Sequence, residues 1–170
     1  MKDLSRAGGG QMDYEFEVVF DTFKNDVYRL VYSYTKNRFD ADDITQIVFI
    51  KLYNNFQNFS DADHVKKWLI VVAINECKNH FSSAWHRKIF PLSEKEEEIY
   101  RVNSPNDVVL EAVLSLPKKY RLVIHLYYYE DYKVKEIASI LKEKETTIQT
   151  RLARARTILK KALKGGIENE

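Results

Sequence analysis

The sequence predicts an all-α protein of two small helical domains joined by a flexible linker. Apolar residues recur at the three- and four-residue spacing of helices in two blocks, and no stretch shows the alternation typical of strands. Between the blocks, from Arg87 to Asp107, this periodicity is lost, Pro91 and Pro105 appear, and the run SEKEEE adds charge. A chain of 170 residues with 45% hydrophobic content can bury two modest cores.

The first block predicts three helices. Apolar side chains at helical spacing extend from Phe16 to Tyr34, from Ile44 to Phe56 and from Val65 to Ala73. Side-chain oxygens can accept hydrogen bonds from the free N–H groups of a first helical turn, so polar residues ahead of these stretches are expected to act as caps. The expected caps are Asp40 or Asp42 for the second helix and Ser60 or Asp61 for the third.

The second block resumes helical spacing in four stretches. These begin at Val109, Leu122, Ile137 and Ile148, and Pro117 separates the first from the second. The predicted domains span residues 13–88 and 108–165, with a linker at 89–107 and tails at 1–12 and 166–170.

Charge is segregated along the chain, although the formal net charge is only +2. Residues 13–63 carry ten Asp or Glu against five Lys or Arg, and residues 64–90 carry five Lys or Arg against one Glu. Attraction to nucleic acid must therefore come from local segregation of charge, and the blocks of alternating sign predict several distinct contact surfaces.

Several classes of protein are excluded by what the sequence lacks. The single cysteine, Cys77, has no intramolecular partner, and no Cys or His cluster has metal-ligand spacing. No Gly-rich phosphate loop or nucleophile-base arrangement occurs, so we predict neither a cofactor nor an enzymatic activity. No apolar stretch is long enough to span a bilayer, and the N-terminus lacks the apolar core of a signal peptide, so we predict a cytoplasmic protein.

The stretch VKEIASILKEKETTIQTRLARAR has the proportions of a helix-turn-helix. Ile148 and Leu152 are predicted to face inward, which places Thr150 and Arg154 on the outward face. Residues 142–164 set eight Lys or Arg against two Glu. Short hydrogen-bonding side chains among cations can contact base edges while the cations contact phosphates, so this face is predicted to read DNA. The alternative is a basic, solvent-exposed terminal helix.

Taken in order, these motifs resemble the extracytoplasmic-function (ECF) sigma factors, the two-domain specificity subunits of bacterial RNA polymerase. The resemblance covers about Tyr14 to Leu163. LSLPKKYRLVIHLYYYEDYKVKEIASIL and TTIQTRLARARTIL resemble family region 4, DADDITQIVFIKLY is similar to region 2.2, and VKKWLIVVAINECKN is similar to regions 2.3 and 2.4. The resemblance implies a transcription initiation factor whose partners are core RNA polymerase and promoter DNA, with an anti-sigma factor in many relatives.

The resemblance also implies roles for individual residues. The second helix would dock on the clamp helices of the largest polymerase subunit through Asp42, Asp43, Gln46 and Phe49. The third helix and its preceding loop would capture a base flipped from the non-template strand of the minus-10 element, with Asn75 lining the pocket. The remaining predicted minus-10 residues are His64, Lys66, Lys67, Lys78, Asn79, Arg87 and Lys88.

For the minus-35 element, position on the last helix and the matching family motif together indicate a division of labour. Gln149, Thr150 and Arg154 are predicted to read bases, with Ala153 adding an apolar contact. The residues predicted to hold the DNA backbone are Arg121, Thr147 and Arg151.

Three positions depart from the family pattern. Ile47 stands where the family often has Glu, and Ile74 stands where it often has Arg. Lys142 occupies the turn position often held by Gly, and a non-Gly residue at positive φ costs roughly 1 kcal/mol. We therefore expect a turn that is distorted or differently shaped.

Two alternative functions remain open on the sequence. A stand-alone helix-turn-helix regulator would share the second domain but would need neither the acidic docking helix nor Asn75 in its basic setting. A small nucleic-acid enzyme would need a metal or acid-base cluster, which the sequence does not contain. Binding to core polymerase would distinguish the first interpretation from both.

Overall fold

A computed structural model describes residues 16–56, 59–82 and 105–167. These residues form seven helices and no strand, which confirms the predicted all-α class. The chain divides into two units, one containing the first three helices and one containing the last four. Most of the predicted linker and the N-terminal tail lie outside the described residues, and the first helix of the second unit begins at Pro105, ahead of the predicted boundary at 108.

The first unit is a bundle of three helices that all contact one another. They are α1 (Phe16–Thr35), α2 (Arg38–Asn54) and α3 (Ala62–Ser82). Each helix buries one face, and the largest fully buried side chains are Leu30, Ile44, Leu52, Leu69 and Ile74. Fully burying a Leu or Ile side chain contributes about 1.5 to 3 kcal/mol, so this shared core holds the three helices in place.

The boundaries of α2 and α3 are set by side-chain caps. Lys36 takes a left-handed conformation with φ 57° between α1 and α2, and the side chain of Asn37 accepts a hydrogen bond of 3.0 Å from the N–H of Asp40. The cap of α2 is therefore Asn37, and the prediction of Asp40 or Asp42 was wrong because α2 begins earlier than its apolar pattern. Of the two predicted caps of α3, Ser60 and Asp61, it is Asp61 that caps the helix. Its carboxylate accepts a hydrogen bond of 2.7 Å from the N–H of His64, which lowers the pKa of Asp61.

Two polar contacts join α2 to α3 outside the core. The Lys51 ammonium lies 2.6 Å from the carboxylate of Glu76, and Nε2 of His80 lies 3.1 Å from the carboxylate of Asp40. The two contacts connect opposite ends of α2 to α3. They therefore fix the orientation of the outward faces of these two helices relative to each other.

The second unit consists of three short helices and one long helix around its own core. They are α4 (Pro105–Ser115), α5 (Lys118–Tyr128), α6 (Val134–Leu141) and α7 (Glu145–Ile167). The core is formed by side chains from all four helices and by Leu116, which follows α4. The core residues on the helices include Val113, Val123, Leu126, Ile137, Ile148 and Leu152. The last two residues are those predicted to face inward from the final helix.

The turn between α6 and α7 is regular. Lys142 takes the left-handed conformation, with φ 57° and ψ 45°. Its N–H bonds to the carbonyl of Ser139, and the N–H of Glu143 bonds to the carbonyl of Ala138 at 2.9 Å, which is the Schellman pattern of a helix end. The expectation of a distorted turn was wrong, because lysine adopts the backbone conformation that glycine favours here.

Candidate nucleic-acid and partner interfaces

The outward face of α7 is a continuous polar surface opposite the buried Ile148, Leu152 and Ala155. Thr150 and Thr157 are exposed on it, and each donates its hydroxyl hydrogen to the carbonyl four residues earlier, leaving oxygen lone pairs free to accept. The residues predicted to read bases, together with the apolar contact, are all exposed: Gln149, Thr150, Ala153 and Arg154. Thr147 is half-buried beside them.

Two arginines of α7 interact with tyrosines of α5. The guanidinium of Arg154 interacts with the hydroxyl of Tyr120 and lowers the pKa of Tyr120. Nε of Arg156 donates to the hydroxyl of Tyr128 at 2.8 Å, and its guanidinium lies 5.3 Å from the ring centre of Tyr127. The bond to Tyr128 raises the pKa of Arg156. The predicted reading side chain Arg154 therefore interacts with α5, which the sequence pattern did not indicate.

Arg151, which was predicted to hold the DNA backbone, is paired within the unit. Its two terminal nitrogens contact the two carboxylate oxygens of Glu143 at 2.8 and 2.7 Å. Both side chains are partly buried. The guanidinium of Arg151 thus binds the side chain of Glu143 in the turn that precedes α7.

Arg121 is buried and does not belong to the exposed face of α7. It is 4% exposed, and its Nη1 donates to the carbonyls of Leu114 and Leu116 at 2.7 and 3.2 Å. These carbonyls belong to the last turn of α4 and the residue that follows it, where no intrahelical donor is available. We therefore remove Arg121 from the predicted phosphate contacts and assign it to the junction of α4 and α5.

One face of α3 gathers most of the predicted minus-10 residues. At about 100° per residue, five exposed side chains fall within roughly one third of the helix circumference, which places them along a single side of α3. They are His64, Lys67, Asn75, Lys78 and Asn79. Lys66 is half-buried, and since successive helical residues differ by about 100°, it lies on a different side from Lys67. Arg87 and Lys88 lie outside the described residues.

An aromatic cluster joins the loop before α3 to the same face. The ring of Phe59 contacts His64 edge to face, with centroids 5.3 Å apart, and contacts Trp68 in the same manner at 5.4 Å. Trp68 is half-buried, whereas Leu69 is in the core. The part of the loop that begins at Phe59 is thus packed onto the first turns of α3, two helical turns from Asn75.

The outward face of α2 carries three of the four predicted docking residues. Asp42, Asp43 and Gln46 are exposed and occupy neighbouring positions on the helix surface. Asp42 lies 3.9 Å from Arg38 in an exposed pair, which contributes little to stability. The carboxylates and the amide are therefore available to a partner.

Phe49 belongs to the core and not to this face. It is 4% exposed, and its ring contacts Phe20 edge to face, with centroids 4.8 Å apart. We remove it from the docking residues. The exposed side chain of Ile50 follows it directly, on the side of α2 that carries Asp43 and Gln46.

The sequence interpretation missed the apolar part of this face. Phe39, Ile50 and Tyr53 are 79%, 61% and 66% exposed, and Ile47 is 41% exposed. Their spacing from Asp43 and Gln46 is helical, so a helical-wheel projection of α2 that started from the buried Ile44 and Val48 would have identified them. The surface is mixed, with acidic, amide and large apolar side chains on one side of one helix.

Within the described residues, neither a metal site nor a membrane span is evident. No group of three or more His, Cys, Asp or Glu side chains is placed to hold a metal ion. None of the described helices combines the length and apolar character needed to cross a membrane.

Comparison with known proteins identifies both units. Residues 19–87 match the profile of Sigma-70 region 2, and residues 106–159 match that of Sigma-70 region 4. The ECF RNA polymerase sigma factor SigM of Bacillus subtilis is 30% identical over 161 residues, which cover 89% of this chain and 97% of that protein. This chain belongs to the ECF sigma factor family.

Two further relatives agree with this assignment. The RNA polymerase sigma factor SigV of Bacillus subtilis is 29% identical over 143 residues, covering 81% of this chain and 84% of that protein. The sigma factor RpoE of Bartonella quintana, solved in complex with the anti-sigma factor NepR, has the same fold, with a TM-score of 0.70 at 20% identity over 88% of this chain and 96% of that one.

Membership in this family establishes the predicted function. The ECF sigma factor binds core RNA polymerase and directs it to promoters, with region 2 in α1 to α3 and region 4 in α4 to α7. A stand-alone helix-turn-helix regulator is excluded by the region 2 match over the first unit.

Proposed function

We propose that three helix faces divide the work of this sigma factor. The α2 face docks on core polymerase, the α3 face holds the separated non-template strand of the minus-10 element, and the α7 face reads the minus-35 element. The observation that carries this proposal is that the three faces are exposed and chemically distinct: acidic and apolar on α2, basic and amide-bearing on α3, hydroxyl- and arginine-bearing on α7.

Docking on core polymerase combines electrostatic attraction with the burial of apolar surface. The carboxylates of Asp42 and Asp43 favour a basic partner surface and raise the rate of productive encounters. Ile50 and Tyr53, exposed on the same side, supply the apolar surface whose burial provides affinity. Ile47, which departs from the family pattern, adds to this apolar part.

Promoter melting requires groups that bind bases only after they leave the duplex. Asn75 offers an amide donor and acceptor on an exposed face, and Lys67 and Lys78 place cations on the same side for the phosphates of that strand. The rings of Phe59 and Trp68 bound the face at its other end. Capturing an unstacked base there would offset the few kcal/mol that unstacking costs.

Recognition of the minus-35 element rests on the first three turns of α7. Gln149 and Arg154 carry the donors that suit purine edges, and the methyl groups of Thr150 and Ala153 suit thymine. An interaction of Arg154 with Tyr120 that restricts the arginine before DNA binds would lower the entropy lost on binding.

The remaining assignments follow from the family. We propose that the protein acts in the cytoplasm, where its polymerase is located, and that it has no catalytic activity of its own. Because RpoE of Bartonella quintana was solved with an anti-sigma factor, we also propose that an anti-sigma factor regulates this chain.

The proposal is tested by reconstitution with core polymerase. The double variant Asp43→Ala and Gln46→Ala should bind core polymerase more weakly than the wild type in an equilibrium binding assay, with helicity unchanged. The matched control is Glu17→Ala with Asn25→Ala, which removes an exposed carboxylate and an exposed amide from α1. Equal affinity of wild type and double variant would contradict the α2 assignment.

A further inference from the structure

The turn of the helix-turn-helix carries an acidic side chain whose position is fixed by the backbone. Glu143 follows the left-handed Lys142, and its N–H is bonded to the carbonyl of Ala138 at 2.9 Å. Its carboxylate therefore projects from a defined point, close to the start of α7 and to the surface that faces DNA in the proposed function.

That carboxylate neutralises a cation of the recognition helix. Glu143 and Arg151 form a two-point pair, with contacts of 2.8 and 2.7 Å and side-chain exposures of 31% and 23%. A two-point contact between guanidinium and carboxylate is geometrically specific and stronger than a neutral hydrogen bond. Partial burial also reduces the screening that weakens exposed pairs.

If Arg151 exchanged Glu143 for a DNA phosphate, the free energy of its interaction would not clearly improve. Carboxylate and phosphate both offer two oxygens and a negative charge to the arginine fork. If Arg151 moved to a phosphate, the partly buried carboxylate of Glu143 would lose its counter-ion next to the negative backbone of DNA. The pair should therefore persist in the complex.

We propose that Glu143 is a positioning residue that withholds Arg151 from the DNA backbone. Arg151 then joins the turn to α7, and the sigma factor binds its promoters with one phosphate contact fewer than its arginines would allow. This inference rests on the proposed function of α7 as the minus-35 reader.

The test is the salt dependence of promoter binding by the reconstituted holoenzyme. Glu143→Gln removes the charge that holds Arg151 and keeps the size of the side chain. One added phosphate contact steepens the slope of log affinity against log salt by about 0.9, which corresponds to roughly an eightfold change in affinity for each tenfold change in salt. The increase in affinity and in slope should be similar on every promoter of a series with substituted minus-35 bases, because a phosphate contact carries no sequence information.

Three variants make the result specific. Glu145→Gln removes an exposed carboxylate two residues away and should leave the slope nearly unchanged, since Glu145 does not pair with Arg151. Arg151→Gln in the wild-type background should also leave the slope unchanged. Glu143→Gln combined with Arg151→Gln should return the slope of the single Glu143 variant to the wild-type value.

Two outcomes would overturn the inference. The first is an unchanged slope in Glu143→Gln, or an equal steepening in Glu145→Gln, which would reflect general charge removal. The second is a slope that falls by about 0.9 in Arg151→Gln alone, because Arg151 would then already contact a phosphate. A wild-type holoenzyme that showed no minus-35 preference would contradict the proposed role of α7, a result distinct from either.

Discussion

Replacing Ile50 with alanine should weaken binding to core polymerase without unfolding region 2. Ile50 is 61% exposed on the α2 face. Fully burying an isoleucine side chain contributes about 1.5 to 3 kcal/mol, so covering this exposed fraction contributes about 1 to 2 kcal/mol. The dissociation constant should rise roughly five- to thirtyfold, since 1.4 kcal/mol corresponds to a factor of ten.

The assay is equilibrium binding of labelled sigma factor to core polymerase, with helicity and thermal unfolding measured in parallel. Val18→Ala is the matched control, because Val18 is an exposed aliphatic residue of the same unit but lies on α1. This variant should bind core polymerase with the affinity of the wild type. Phe49→Leu supplies the contrast: its ring packs on Phe20, so it should lower stability and leave the affinity of the folded protein unchanged.

Wild-type affinity in Ile50→Ala would refute the assignment of the apolar part of α2 to the docking surface. A second refuting result would be a Phe49→Leu variant of normal stability with weakened core binding, because Phe49 would then contact the partner as the sequence first suggested.

Three further predictions concern DNA and the region 4 core. Asn75→Ala should impair open-complex formation more than initial recruitment, and normal permanganate reactivity of promoter thymines would contradict the base-capture role. Arg154→Ala should weaken promoter binding by roughly 1 to 3 kcal/mol and relax the base preference at one or two minus-35 positions. An equal loss of affinity on every promoter of a series with substituted minus-35 bases would contradict base reading. Arg121→Ala should lower the hydrogen-exchange protection of α4 by about 1 to 3 kcal/mol, because the carbonyls of Leu114 and Leu116 lose their donor. Unchanged protection with a shallower salt dependence would return Arg121 to the phosphate contacts.

The amino-acid sequence by itself determined the fold class and the family. Helical spacing depends only on which residues are apolar and where they stand, and this information is local, so the positions of the helices and the helix-turn-helix could be read directly. The ordered family motifs gave the function for a similar reason, since they are runs of residue types at fixed spacing. The cap of α3 at Asp61 was also a local feature.

Only the tertiary structure decided which side chains are available to partners. An arginine and a phenylalanine can each serve a surface or a core, and their sequence neighbours do not distinguish the two. Arg121 is buried because the carbonyls at the end of α4 need a donor, and Phe49 is buried because α1 brings Phe20 against it. Arg151 is paired because the left-handed turn directs Glu143 toward it. Such contacts join residues of different helices, or of a helix and a turn, so their geometry exists only after these elements have packed.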